Sequence, residues 1–442
     1  MFSFEQLSKI VNYPPIGSLN DILVLEIGEH VSGPIAGEEF ARKGALVIKI
    51  ERNFGDPARK YMTKEIFASF NANKLSSCLS NEEYTSLLLI VDVIIDNRSP
   101  DAKKRDLILK KFLLNKNDKK PVIYCSIVGY DSSIYSSIAL DVSVQAETGM
   151  AMTNAPSANY PLKVGFVVLD ITTGIQAALE ILSALYEVKK NKKQIENNGL
   201  KMIEVSMARM SAKLQTGPFL VCQTTGKDVL REGNRDPFVA PFSFYKTLNG
   251  FVSVGIVSDD QFYRFCKDVL NEADLAIKHH SNQLRLENIA EIDDIICLKF
   301  SQNKTDDIIK LCELANVTCN KVNTVSEALK HPMASSYFSR TKNNVTIISN
   351  VSKNIESNDV EFNNAPEHNE HSDSVNLLIT GIQLLNKSSF KSLRKRVNSI
   401  NSTIENETKV KITQSNNGFF TNSYCADDNL EIAPYQRITS RL

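Results

Sequence analysis

Between Ile22 and Ile50 four kinds of sequence follow without a break: an apolar run (ILVLEI), a glycine-bearing loop (GEHVSGP), a helical stretch and a second apolar run (ALVIKI). Both runs are of strand length and close to continuously apolar, as strands covered on both faces read. Two such strands joined through a helix make a βαβ unit, and hence a parallel sheet. The alternation continues with VDVII (Val91 to Ile95), VIYCSIV (Val122 to Val128) and an apolar segment from Met202 to Val205. The first part of the chain is therefore expected to be a doubly wound, Rossmann-like α/β domain.

The pattern changes after a polar stretch at 221–235. Phe242 to Thr247 and Phe251 to Val257 flank Asn249-Gly250, a hairpin signal. Helical stretches follow at Gln261 to Leu270 and between Gln283 and Leu314. This is a smaller α+β segment, and a chain of 442 residues has room for two or three domains. Residues 386–442 form a polar tail whose basic cluster, Lys391 to Arg396, reads as a solvated face.

Composition narrows the partners. Lys plus Arg and Asp plus Glu number 51 each, so no global field favours nucleic acid or an anionic membrane. The eight cysteines, at 78, 125, 222, 266, 297, 312, 319 and 425, contain no CxxC pair and have no histidine cluster beside them. No zinc or other metal site is expected; reduced thiols in a cytoplasmic protein are. The opening MFSFEQLSK lacks a basic region followed by an apolar core, and no run approaches 18 apolar residues.

Two places carry candidate chemistry. Gly28, Gly33 and Gly37 do not form GxGxxG, although Glu51 lies where a ribose-binding acid would, so NAD binding is a weak reading. Arg52 suits a ribose-linked phosphate better than a free hydroxyl. Asp170 stands in GFVVLDITTGIQAALEILSALYEV, before a helix whose Ile175, Ala178, Leu179, Leu182 and Leu185 fall on one face, the face expected to be buried. Asp170 is placed as the helix N-cap, a common use of aspartate.

A series of segments, in order, resembles the class III CoA-transferases, which include formyl-CoA and carnitine CoA-transferases and the related 2-methylacyl-CoA racemases. They are LEIGEHVSGP, GALVIKIERNFGDPAR, FNANKLS, VDVIIDNRSP, VIYCSIVGY, LDVSVQAETGM, VLDITTGIQAALEILSALYE, IEVSM, GNRDPFVAPFSFYKTLNGFVSVGI, ANVTCNKVNTVSEALKHP and APEHNEH. The resemblance implies a large domain from 1–220 and 331–385, a linker at 221–235, a small domain at 236–330, and two chains interlocked like rings. It implies acyl-CoA and a carboxylic acid as substrates, with coenzyme A as co-substrate. The position matching the family nucleophile is Asp170, which passes through an aspartyl anhydride and an aspartyl-CoA thioester. Positions matching CoA contacts are Val31, Ser32, Arg52, Leu79, Asn97 and Arg105; Tyr130 matches a residue lining the acyl site.

Several positions depart from the family. Val31 stands where formyl-CoA transferases carry a glutamine, and Val128 where they carry a lysine. GIVSDDQF replaces their glycine run, Arg209 an acidic residue, and Asn369-Glu370-His371 the late GEH. These departures argue against formyl-CoA and oxalate, and motivate a non-catalytic CoA-binding paralogue as the alternative. The racemase histidine would match about Leu140, which cannot carry a proton, so racemisation is disfavoured.

Overall fold

The computed structural model describes residues 17–114, 121–132, 138–154, 157, 160–190, 199–229, 233–349, 363–376 and 379. The polar tail at 386–442 and its basic cluster lie outside them. The described residues form two compact units. One takes those up to Val144, Val167–Met210 and those from Ser336 on; the other takes Gln145–Phe166 and Ser211–Ser335. Residues 145–166 and 211–235, placed by sequence in the large domain and its linker, thus group with the second unit.

In the first unit the chain runs β1 (Leu23–Ile27), α1 (Ser32–Arg42), β2 (Leu46–Ile50), α2 (Lys64–Asn71), β3 (Leu75–Ser77), α3 (Asn81–Leu88) and β4 (Val93–Asp96). It continues through α4 (Pro100–Arg105), α5 (Leu107–Leu114), β5 (Val122–Val128), the opening residues, up to Val144, of α6 (Asp141–Glu147), α7 (Val168–Lys190) and β6 (Leu200–Ser206). The six strands form one parallel sheet in the order β3-β2-β1-β4-β5-β6. One face, with Leu23, Leu25, Leu46 and Ile48, packs on Tyr84, Leu87, Ile108 and Phe112. The other, with Val24, Val47, Val93 and Ile123, packs on Ala36, Phe40, Ala177 and Ile181. Cover on both faces explains the near-continuous apolar runs. Strand order reverses between β1 and β4, and in such sheets ligands bind outside the carboxyl ends of the strands at that reversal.

Strand β3 is an addition to the sequence reading. Its LSS has no apolar run, and it forms because both its sides are hydrogen-bonded. One side pairs with β2. On the other, the His371 N–H donates to the Ser76 carbonyl (2.9 Å) and the Ser76 N–H to His371 Nδ1 (3.3 Å). Asn369 Oδ1 accepts the Cys78 N–H at 2.7 Å. The Asn-Glu-His segment is thus a clamp on a sheet edge.

Helix α7 also departs from expectation. Its buried stripe is Leu169, Thr173, Gly174, Ala177, Ala178, Ile181 and Ala184, whereas Ile175 and Leu179 are exposed. The cause is close packing on α1: a Cβ at Gly174 would lie 2.6 Å from the Ser32 carbonyl oxygen and 2.9 Å from Ile35. Small residues face the neighbour, and larger apolar ones are left outside. Substitution of Gly174 by alanine is expected to lower stability by about 1–3 kcal/mol through overpacking, read as a lower denaturant midpoint.

The second unit has an antiparallel sheet, β7 (Phe242–Thr247), β8 (Gly250–Gly255) and β9 (Thr318–Lys321), in that order. The hairpin turn is Leu248-Asn249, with Gly250 already opposite Thr247. Helices from Ile289–Ser301 and Thr305–Leu314 supply Ile292, Ile296, Phe300, Ile308 and Cys312 to its core.

Candidate active site

The β1–α1 loop is anchored from below by charge. Glu26 and Lys49 face each other in the β1–β2 register, the only charged residues in two apolar strands. Lys49 Nζ lies 3.0 Å from Glu26 Oε1 and 2.9 Å from Asp56 Oδ2, and donates to the Gly28 carbonyl at 2.7 Å. Lys74 Nζ takes the other Glu26 oxygen at 2.7 Å and donates to the Pro34 carbonyl at 2.7 Å. All four side chains are buried. Burial works against the Lys49 charge, but Asp56, Glu26 and Glu51 outweigh it and hold its pKa above the usual lysine range. Lys74 is pushed down to about 8 by burial, with Glu26 opposing. Asp56 in turn accepts the His30 N–H at 3.2 Å and the Ala58 N–H at 2.9 Å.

The loop is fixed from the side by Asn97, which follows β4. Asn97 Oδ1 accepts the Glu29 N–H (2.9 Å), and its Nδ2 donates to the Glu29 carbonyl (2.8 Å) and to Ser32 Oγ (3.1 Å). This amide spans the reversal between β1 and β4. It requires Gly33, where a Cβ would fall 2.8 Å from Asn97 Cγ. The Ser32 hydroxyl, so oriented, donates to the Asp170 carboxylate. Ser32, Asn97 and Asp170, named separately from the sequence, therefore form one hydrogen-bonded chain.

Asp170 is not the N-cap of α7. The helix begins at Val168, two residues earlier, which puts Asp170 in its first turn. The capping carboxylate comes from Asp141, at the start of α6, whose Oδ2 accepts the N–H groups of Leu169 (2.8 Å) and Asp170 (3.3 Å). The electrostatic expectation changes with it. Burial first, and the neighbouring Asp141 second, push the Asp170 pKa up to about 6 against the Ser32 hydrogen bond. Such a group is still mostly ionised at pH 7, and more basic than an ordinary carboxylate, which favours nucleophilic attack.

The other expected contacts spread along the carboxyl edge of the sheet. Val31 is buried at the N-cap position of α1. Arg52, after β2, is about half exposed and paired with Glu29 (Nε to Oε1, 2.6 Å), so a phosphate there would compete with a carboxylate. Leu79, after β3, packs against the core. Arg105 is exposed at the end of α4, and Tyr130 is half-buried after β5. Arg209 forms a bidentate ion pair with Asp131 (2.5–2.8 Å), so the basic replacement finds its acid in the loop after Tyr130. Asp141, His30, Tyr61, Lys49 and Asp56 escaped the sequence reading. The facing charges inside ILVLEI and ALVIKI were the signal for part of that set. No cluster of metal-ligating side chains occurs among the described residues, and their cysteines are free thiols.

The loop at the sheet reversal thus brings Ser32 and Asn97 beside a carboxylate, Asp170, whose pKa is raised. The sequence model of CoA-transferase family III matches residues 19–372. The chain belongs to that family. It is a class III CoA-transferase, a class whose substrates are CoA thioesters. It is 26% identical over 338 residues to a succinate–glutarate CoA-transferase of Agrobacterium fabrum, covering 71% of this chain and 82% of that one. It is 25% identical over 340 residues to the human succinyl-CoA:glutarate CoA-transferase, covering 72% and 74%. A succinyl-CoA–D-citramalate CoA-transferase of Chloroflexus aurantiacus is 26% identical over 335 residues, covering 72% and 81%. Among solved structures, a CaiB/BaiF family protein from Brucella suis aligns with a TM-score of 0.67 at 22% identity, over 82% of this chain and 99% of that one. A hypothetical protein of Mycobacterium tuberculosis gives 0.69 at 20% identity, over 82% and 99%. These two likenesses concern the fold.

Proposed function

We propose that this CoA-transferase works through covalent intermediates on Asp170. The carboxylate attacks the thioester carbonyl of an acyl-CoA, the C–S bond breaks, and a mixed anhydride forms with release of the CoA sulfur. The sulfur then attacks the Asp170 side-chain carbonyl, releasing the donor acid and leaving an aspartyl-CoA thioester. The acceptor carboxylate attacks that thioester, and the returning sulfur completes a new acyl-CoA. The observation that carries this reading is the division of labour between two carboxylates. Asp141 caps the helix, so among the described residues the Asp170 oxygens are held by a single hydroxyl rather than spent on backbone N–H groups.

The acyl partners are proposed to be short dicarboxylic acids, since succinate, glutarate and citramalate appear in the names of the relatives above. The active form is proposed to be a cytoplasmic homodimer, checked by light scattering of the purified protein. Hydroxylamine trapping during turnover with succinyl-CoA, read by peptide mass spectrometry, is expected to convert Asp170 to its hydroxamate. An unmodified Asp170 across a panel of acyl-CoA esters would favour a protein that binds CoA without turnover, and hydrogen exchange at C2 of a branched acyl-CoA would favour racemisation.

A further inference from the structure

His30 lies two residues before Ser32 and has a left-handed backbone, φ 66°, a region that non-glycine residues seldom enter. Its conformation is held from outside: the N–H donates to Asp56, itself ion-paired to buried Lys49. The ring is fixed as well. Nδ1 lies 2.8 Å from the Tyr61 hydroxyl, and the two rings stack at 6.0 Å with an interplanar angle of 26°. Tyr61 ends a short helix, Ala58–Tyr61, that follows the Asp56 turn. Its phenol is close enough to Asp170 for that carboxylate to contribute, after burial and Asp56 and together with Glu29, to a pKa raised to about 12. Tyr61 therefore stays a neutral hydroxyl, able to donate to Nδ1 or accept from it. His30 Nε2 makes no hydrogen bond among the described residues, and the side chain is exposed.

The charges around this loop create a need for such a ring. Glu29, Asp56, Asp141 and Asp170 are carboxylates. Lys49 is fully engaged below the loop, and Arg52 is paired with Glu29. A thiolate released into that setting would meet like charge unless a proton or a cation met it. Resting on the Asp170 pathway above, we propose that His30 is the acid–base residue for the CoA sulfur. As the C–S bond breaks, the imidazolium gives its Nε2 proton to sulfur, leaving neutral imidazole with Nδ1–H donated to Tyr61. When the thiol returns to attack the anhydride, Nε2 takes that proton back, so proton and charge balance over the cycle. Tyr61 acts on the ring and is a positioning residue.

The test uses His30→Asn, which tolerates the left-handed backbone but carries no proton, and His30→Gly, which relaxes the backbone and leaves room for imidazole. With succinyl-CoA and glutarate, the wild-type pH profile of kcat is expected to show an alkaline limb, the signature of an essential acid. His30→Asn is expected to lose about a hundredfold in kcat and to lose that alkaline limb. Imidazole added to His30→Gly is expected to restore activity in proportion to its concentration, and Tyr61→Phe to shift the limb while retaining most of kcat. An unchanged alkaline limb in His30→Asn, or a rate loss that imidazole does not relieve, overturns the assignment. Hydroxylamine trapping on the same samples separates the two readings. A trapped Asp170 in wild type with an unaffected His30→Asn removes only His30, whereas no trapped Asp170 in wild type removes the covalent pathway and this proposal with it.

Discussion

Replacing Asp170 with asparagine is expected to abolish CoA exchange, lowering kcat by roughly 10⁴-fold or more, while making the protein more stable at neutral pH. The second half follows from the direction of the pKa shift. A carboxyl group at 3.8 when unfolded and about 6 when folded binds its proton more tightly in the native state. Stability from this group is therefore fully present below the unfolded value and declines as pH rises through the interval between the two. Above the folded value the ionised group is a standing cost, on the order of 3 kcal/mol at most. Asparagine keeps an acceptor for Ser32 and removes that cost. Denaturant midpoints of wild type and variant are expected to converge near pH 4 and to separate at pH 8, with the variant higher. Equal midpoints at pH 8 would contradict a partly buried, disfavoured charge at this position.

Lys49→Met is the second large effect, in the opposite direction. The substitution leaves Glu26 and Asp56 facing each other in a buried setting without the ammonium between them. Breaking a buried ion network from one side costs about 3–5 kcal/mol. Because Lys49 also donates to the Gly28 carbonyl, and Asp56 accepts the His30 N–H, the β1–α1 loop should loosen together with the sheet. The check is a urea titration combined with amide hydrogen exchange at residues 28–34. Adding Asp56→Asn to Lys49→Met removes the stranded charge, while Glu26 keeps its partner Lys74, and is expected to recover part of the loss.

The sheet was legible because its strands are covered on both faces, which leaves a direct trace in ILVLEI, VDVII and VIYCSIV. Strand β3 left no such trace, since its partners are side chains and backbone from Asn369 and His371, far along the chain. The position of Asp170 before a helix was legible from its apolar flanks and the helix after it, and its proposed role came from the resemblance alone. The helix start was misplaced because the capping group, Asp141, sits 29 residues away from Asp170. Periodicity marks which residues are apolar, but not how closely two helices approach. At Gly174 that distance chose the small face of α7 over the large one. The hydrogen bonds among Asn97, Ser32 and Asp170 cross three separate chain segments, and only the closed fold brings them together.

The clamp on β3 also sets an order of events during synthesis. Ser76 and the His371 side chain that completes its hydrogen bonds are 295 positions apart. At the usual pace of translation, roughly fifteen seconds to a minute passes between them. Throughout that time the nascent sheet presents an open strand edge, the kind of template on which chains pair wrongly. Newly made chains are thus most prone to aggregate before the Asn-Glu-His segment emerges, and truncation ahead of Asn369 should yield an insoluble product even though every strand of the sheet is present.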